Sequence, residues 1–199
     1  MKEFWDKRYA NKEMAYGEDA NLFFAQQLSK LKARKILLPA EGEGRNAIHS
    51  AKLGWQVSAF DISKEGKQKA EQLAQRTGVT IDYTVGGLEE ISYQKESFDA
   101  IALIYAHFPA PAKSKYHKIL ASYLKKGGTL ILEGFSKKQI ETPESGGPKK
   151  AEMLFSVKEI KQDFDDFEIM ELSEREIVLN EGLYHKGKGS VIRFVGKKK

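Results

Sequence analysis

Residues 36–47 of this 199-residue chain read ILLPAEGEGRNA, and this stretch decides the fold. The apolar run 35–38 predicts a strand, the next residues form a turn with two glycines, and the pattern of residues 44–53 predicts a helix that Gly54 ends. Glycine allows positive φ and close approach of the backbone to a ligand. In a doubly wound sheet, ligands bind beyond the carboxyl ends of the strands. The stretch therefore predicts a ligand-binding loop after a first parallel strand.

Asp61 is the second informative position. It follows the apolar run 56–60, which predicts a strand, and precedes a helix that we expect to begin near Ser63 and end near Thr77. A carboxylate at the tip of the second strand can accept hydrogen bonds from the hydroxyls of a ribose. The alternative is an ordinary turn or helix-capping residue.

The rest of the chain alternates between strand and helix patterns. Strands are expected at 79–85, 98–104 and 129–133, and helices at 1–10, 21–31, 112–124 and 157–164. The last two apolar runs, 167–179 and 190–195, have no helix between them and predict an antiparallel hairpin. These patterns predict an α/β fold: a doubly wound, Rossmann-like, mostly parallel seven-stranded sheet with helices on both faces and an antiparallel C-terminal hairpin. The Pro- and Gly-containing stretch 141–150 is interpreted as a plain connection rather than a mobile lid.

The motifs together resemble a known family. Residues 36–63 resemble the first two motifs of class I S-adenosylmethionine (SAM)-dependent methyltransferases, in particular the small branch that includes the tellurite-resistance and thiopurine methyltransferases. Further similarity lies at residues 16–18 with Asn21, at 98–101, at 124–130, and at Glu181-Gly182 with His185, Gly187 and Gly189. The resemblance covers nearly the whole chain.

The resemblance implies methyl transfer from SAM to a small-molecule acceptor by in-line displacement. It implies one domain over residues 1–199, with residues 1–33 as a helical lid segment and 34–199 as the α/β core. The residues that it places at the cofactor are Tyr16, Ala40, Glu41, Gly42, Gly44, Asn46, Asp61, Ile62, Leu88 and Tyr105. The chain departs from the family pattern at Leu38 and Pro39, at Ala40 in place of the first glycine, and at Gly87. Glu41 is a candidate to supply the negative charge that this departure removes.

The charge of the glycine loop favours SAM over a dinucleotide. Gly42-x-Gly44-x-x-Ala47 also fits the dinucleotide fingerprint, which alone is weakly specific. Glu41 and Glu43 would oppose a pyrophosphate, whereas SAM carries a cationic sulfonium and an ammonium group. An NAD(P)-dependent oxidoreductase and a non-catalytic SAM-binding or regulatory protein of the same fold remain the alternatives.

Methyl transfer from a sulfonium requires mainly positioning, so no catalytic triad is expected. His107, which follows the strand 98–104, is the predicted catalytic residue because an imidazole there could take a proton from the acceptor. A structural turn histidine is the alternative. His185 is interpreted as lining the acceptor pocket or lying on the surface.

Composition restricts the remaining possibilities. The chain has 33 basic and 28 acidic residues, a net charge of +5, and no cysteine, which excludes disulfides and thiolate metal sites. Its lysines are scattered among acidic residues, so no nucleic-acid partner is predicted. No apolar run approaches membrane-spanning length, and we expect a soluble, cytoplasmic protein without a metal. The sequence does not identify the methyl acceptor or the oligomeric state.

Overall fold

The computed structural model describes all residues, 1–199, and contains seven strands and six α-helices. The strands are β1 (Lys35–Pro39), β2 (Gln56–Asp61), β3 (Asp82–Val85), β4 (Phe98–Ile104), β5 (Leu124–Phe135), β6 (Phe167–Glu181) and β7 (His185–Lys198). The helices are α1 (Lys2–Tyr9), α2 (Leu22–Leu28), α3 (Arg45–Lys52), α4 (Lys64–Thr77), α5 (Lys113–Tyr123) and α6 (Val157–Asp163).

All strands belong to one sheet with the order β3-β2-β1-β4-β5-β7-β6. The pairs among β1 to β5 are parallel, whereas β7 pairs antiparallel with both β5 and β6. The prediction of a mostly parallel seven-stranded sheet with an antiparallel C-terminal hairpin is thereby confirmed. The carboxyl ends of β1, β2 and β4 meet at one edge of the sheet, where a ligand site is expected.

Alternating side chains of the central strands fill a core on each face of the sheet. Leu37, Ile101 and Leu103 point to one face and pack with residues of α5 and α6. Ile36 and Leu38 point to the other face and pack with residues of α2, α3 and α4. The near-continuous apolar sequence of β4 follows from this coverage, because neither face of that strand meets water.

Several element boundaries differ from the sequence prediction, and β7, for example, begins at His185 and not at residue 190. β3 begins at Asp82 and not at residue 79, because Val79 and Ile81 pack beside α4 before pairing with β2 starts. β5 begins at Leu124, directly after α5, and not at residue 129, and it includes Gly127 and Gly128. The irregular register between β4 and β5 accommodates this early start.

The segment 137–153 is more ordered than a plain connection. It contains three short 3-10 turns, at Lys137–Glu141, Pro143–Ser145 and Ala151–Met153. Gln139 is buried and ties the segment to β7, accepting a hydrogen bond from Ser190 N–H at 2.8 Å and donating to Ser145 Oγ at 2.7 Å. The segment therefore forms a fixed wall beside the end of β5. Across the whole chain, no helix has both the length and the apolar character needed to cross a membrane.

A substitution at Phe194 tests how much the C-terminal hairpin contributes to the stability of the core. Its ring is fully buried and stacks on Phe164 with centroids 5.2 Å apart. We expect Phe194→Ala to lower the free energy of unfolding by about 3–5 kcal/mol, because truncation leaves a cavity that the sheet cannot close. The matched control Val178→Ala, at a side chain 80% exposed on β6, should change it by less than about 0.5 kcal/mol. Urea denaturation measures both, and equal effects would contradict the assignment of β7 to the core.

Candidate functional site

The loop after β1 has a backbone that few sequences can adopt. Ala40, Gly42 and Gly44 have φ values of +52°, +62° and +87°. A Cβ at Gly44 would lie 2.5 Å from the Cβ of Ala70, so the close approach of α3 to α4 requires glycine there. Ala40 occupies the left-handed region despite its side chain, at a cost of about 1–2 kcal/mol. Strain of this kind is concentrated at functional sites.

Asp61 lies beside this loop at the end of β2 and is buried. Its two carboxylate oxygens accept hydrogen bonds from Gly42 N–H at 3.0 Å and Ser63 N–H at 2.9 Å. Burial raises the pKa of Asp61 to about 6, which the backbone hydrogen bonds only partly oppose. Each oxygen still has a free lone pair, and no cationic side chain pairs with the group. The carboxylate can therefore accept further hydrogen bonds from a ligand.

Glu41 is a second acid of the loop without an ion-pair partner. Its carboxylate accepts the Ala47 N–H at 2.7 Å and the Asn46 side-chain N–H at 3.4 Å, so it caps the start of α3. Burial raises the pKa of Glu41 to about 7, against the opposing effects of the Ala47 hydrogen bond and the Arg45 charge. The loop region thus holds one buried acid, Asp61, and one partly buried acid, Glu41, whose ionised forms a bound cation would favour.

Glu43 does not face the loop interior or open solvent. It is buried, pairs with Lys69 at 2.8 Å, and accepts the Ala15 N–H at 2.8 Å. The chain before Asn21 is thereby fastened over the loop. Tyr9 makes the closest contact, because its hydroxyl lies 2.6 Å from the Cβ position of Gly42. Asp6 adds a third attachment by accepting hydrogen bonds from Ser63 Oγ at 2.6 Å and Lys64 N–H at 3.1 Å.

Asn21 joins two carboxylates at the carboxyl edge of the sheet. Its amide nitrogen donates to Glu133 at 2.7 Å and to Glu181 at 3.1 Å, while its Oδ1 accepts the Phe24 N–H that begins α2. Arg193 pairs with Glu133 at 2.6 Å, and Arg45 pairs with Glu181 at 2.9 Å. Buried carboxylates need such partners. We call this set of five side chains the Asn21 network.

His185 extends the Asn21 network. Its ring is buried, and Nδ1 lies 3.1 Å from Glu181 Oε2. Burial lowers the pKa of His185 and outweighs the opposing hydrogen bond to Glu181, so the ring is neutral at pH 7. Burial alone would raise the pKa of Glu181, but the hydrogen bond from His185 and the charge of Arg45 bring it down to about 2. Because Nδ1–H donates to this carboxylate, Nε2 retains a basic lone pair.

Aromatic rings surround His185. The ring centroids of Tyr16 and Tyr105 each lie 4.4 Å from it, and that of Phe135 lies at 5.2 Å. Tyr105 has a φ of +52°, a second strained position at the carboxyl end of a strand, and its hydroxyl lies 3.3 Å from Glu133. The neutral imidazole therefore lies in aromatic, partly apolar surroundings.

The geometry argues against the role predicted for His107. Its Nε2 accepts the Phe135 N–H at 3.1 Å, and its Nδ1 lies 3.1 Å from the Met153 carbonyl, to which it donates. Burial lowers the pKa of His107 to about 3. Both ring nitrogens are thus occupied within the protein, and the ring stacks on Phe155 at 4.6 Å. These contacts favour the structural turn histidine that the sequence analysis held as the alternative.

The other residues predicted to bind a cofactor occupy two places. Ala40, Glu41, Gly42, Gly44, Asn46 and Asp61 lie together around the loop, and Ile62 follows Asp61, with its Cγ2 3.6 Å from the Cβ position of Gly87. Leu88 packs against the core on the α5 face. Tyr16 and Tyr105 lie instead against His185, beyond the end of β4.

Sequence reasoning missed Arg45, Glu133 and Arg193 of the Asn21 network. Glu133 could have been identified from the sequence, since it is a charged residue inside the apolar run of β5. In the structure it is only 1% exposed. A buried carboxylate in a central strand demands a cation. The partner could not be chosen from the sequence, because Arg193 reaches Glu133 only through the antiparallel register of β5 and β7.

Comparisons with known proteins agree with this geometry. Residues 36–128 match the family model described as "Methyltransferase domain". The ubiquinone biosynthesis O-methyltransferase of Xanthomonas euvesicatoria pv. vesicatoria is 27% identical over 130 residues, which are 65% of this chain and 54% of that protein. The chain thus spans about half the length of the curated relatives it matches.

Solved structures share the fold over nearly all of the chain. TehB from Haemophilus influenzae has a TM-score of 0.76 at 16% identity, covering 100% of this chain and 67% of that one. A SAM-dependent methyltransferase from Methanosarcina mazei has a TM-score of 0.71 at 20% identity, covering 90% and 98%. At these identities the likeness shows the fold alone.

The Asn21 network provides a test of the site's stability. We expect Asn21→Ala to lower the free energy of unfolding by about 2–4 kcal/mol, because it removes the α2 cap and one hydrogen bond each from the buried Glu133 and the partly buried Glu181. Asn11→Ala is the matched control, since the Asn11 amide makes only an exposed hydrogen bond to the Arg8 carbonyl. Its effect should stay below about 0.5 kcal/mol in the same urea titration. Similar values for the two variants would show that the bridge between the carboxylates contributes little.

Proposed function

We propose that this chain is a class I SAM-dependent methyltransferase that transfers the methyl group of SAM to a nucleophilic atom of a small-molecule acceptor. The match of residues 36–128 to a methyltransferase domain disfavours an NAD(P)-dependent oxidoreductase. The observation that carries the proposal is a pair of acids without ion-pair partners, the partly buried Glu41 and the buried Asp61, in and beside a strained loop at the carboxyl end of β1. A ligand with ribose hydroxyls and positive charge satisfies both.

The residues around the loop fit SAM, the family's cofactor, whose sulfonium supplies the methyl group. We assign Asp61 to the ribose hydroxyls, because its oxygens keep free lone pairs after binding Gly42 N–H and Ser63 N–H. Ala40, Gly42 and Gly44 form the floor of the crevice, with Glu41 and Asn46 at its methionine end and Ile62 and Leu88 at its adenine end. Residues 1–33 form the lid segment over the core 34–199, with Tyr16 and Tyr105 between cofactor and acceptor. The attachments of Asp6, Tyr9 and Ala15 to the loop and its neighbours support this division.

His185 is the residue best placed to take a proton from the acceptor. Its Nδ1–H is held by Glu181, its ring is neutral at pH 7, and Nε2 has a free lone pair among aromatic side chains. Glu181 acts as a positioning residue that fixes the tautomer and stabilises the imidazolium formed when Nε2 is protonated. His107 has neither an available nitrogen nor a suitable pKa, so we assign it a structural role.

The name of the curated relatives suggests an oxygen acceptor, and a phenolic hydroxyl fits the aromatic surroundings of His185. A phenol must lose its proton during attack, which gives the His185–Glu181 pair a function. A non-catalytic SAM-binding protein of the same fold is the second candidate, favoured by Ala40 and Pro39 in place of the family residues. Turnover of any acceptor separates the two.

The ionisation of Glu41 and Asp61 predicts a pH dependence for SAM binding. A bound cation lowers both pKa values, so binding releases protons and the affinity should rise as pH increases from about 5.5 to 7.5, by about tenfold. Calorimetry at several pH values measures this. Glu41→Gln should weaken binding at about pH 7.5 and flatten the rise near pH 7, whereas Glu176→Gln, on the exposed face of β6, should leave both unchanged. An affinity of Glu41→Gln equal to that of the parent at every pH would refute the assignment.

The proton-accepting role of His185 predicts a selective loss of activity. With catechol as acceptor, His185→Gln should lower kcat by about 10²–10⁴-fold, as for loss of a general base. With thiophenol, which is already largely ionised at about pH 8, the loss should be under about tenfold. SAM affinity should not change, and His49→Gln, on α3, serves as the control with parental kcat. Equal losses with both acceptors would contradict a role in proton transfer, and no turnover by the parent with any acceptor of a broad panel would favour the non-catalytic alternative.

A further inference from the structure

A cleft opens at the opposite end of the sheet from the loop and His185. It has a volume of about 390 Å³ and lies at the amino ends of β1, β2 and β4, next to the first residues of β5. Its lining comes from residues 31–34, Trp55, Asp99 and residues 125–129. This volume is within the range of small-molecule sites. Nothing in the proposed methyl transfer uses it.

The cleft is strongly basic. Lys32, Arg34, Lys125 and Lys126 line it, and Asp99 is the only acid among the lining residues. Lys197 flanks the turn, with its Cε 3.7 Å from the Cβ position of Gly127. The fold therefore brings together lysines that are far apart in the sequence. Cations gathered around a concave surface concentrate anions there.

Asp99 neutralises only part of this charge. Its carboxylate accepts from Lys125 Nζ at 2.9 and 3.0 Å and lies 3.8 Å from Arg34, so one negative charge is shared by two cations. Lys32 and Lys126 form no ion pair. Asp99 thus holds Lys125 and Arg34 at the wall of the cleft while leaving an excess of positive charge.

We propose that this cleft binds an oligophosphate, either a free inorganic chain or the phosphate chain of a nucleotide. Several cations spread around one cavity match a chain of negative charges better than a single phosphate. Arginine and lysine together supply both directed and mobile donors to phosphate oxygens. The site is independent of the proposed methyl transfer and of SAM.

Calorimetric titration with inorganic triphosphate tests the proposal. We expect saturable binding at one site, weakened as NaCl is raised, and at least about fivefold tighter than binding of orthophosphate. The double variant Lys32→Gln/Lys126→Gln should lose at least about tenfold in affinity. Asp99→Asn should gain affinity, because it releases two cations and removes the only opposing charge. Lys158→Gln/Lys161→Gln, with the same change of net charge on exposed positions of α6, is the matched control and should bind like the parent.

A second titration distinguishes the two sources of the ligand. ATP is added in the presence of saturating SAM, so that the nucleoside cannot enter the crevice at the loop. Equal affinities for ATP and triphosphate mean recognition of the phosphate chain alone, and tighter ATP binding means that the nucleoside adds contacts. Absence of triphosphate binding overturns the proposal, as do equal losses in the cleft and control variants or equal affinities for triphosphate and orthophosphate. If Asp99→Asn fails to fold, the lysine variants still decide the outcome.

Discussion

Two carboxylates at the carboxyl edge of the sheet, one buried and one partly buried, impose the main constraint on this molecule. Glu133 and Glu181 come from different strands, and a single amide group on Asn21 bridges them. Burial of an unpaired carboxylate is costly, so each also requires an arginine with good geometry. The arginines come from α3 and β7. Satisfying two charges therefore fixes the relative positions of the lid segment, the loop helix and the C-terminal hairpin.

The same constraint connects stability to chemistry. Glu181 is held ionised by its partners and in turn fixes His185 in one tautomer. Asp61 and Glu41 differ, because no cationic side chain pairs with them and burial raises their pKa values. The protein thus contains one set of acids whose charge is balanced internally and another without a cationic partner, whose charge we propose that a ligand balances.

The sequence was sufficient to predict the helices, the strands and the type of sheet. The alternation of strand and helix patterns and the glycine turns are visible in short stretches of sequence. It also located the loop and Asp61, which adjoin in space since β1 and β2 pair in parallel. It was insufficient to assign roles to His107 and His185, because those roles depend on contacts with residues that are distant in the sequence. A histidine after β4 has the position of a catalytic residue, but the Phe135 N–H and the Met153 carbonyl occupy its nitrogens. The basic cleft was missed for the same reason, because its lysines come from separate segments.

The contacts of Ala15 have a consequence for synthesis of the chain. Its carbonyl accepts hydrogen bonds from Leu183 and Tyr184 N–H, so this early segment is secured by residues made more than 160 positions later. A nascent chain on the ribosome has its first five strands before the hairpin exists. Until β7 emerges, the segment that covers the loop lacks its anchor, and the apolar rings around His185 face water. This surface is therefore completed only when β7 emerges, and a chain truncated before residue 183 would expose it to chaperones and proteases.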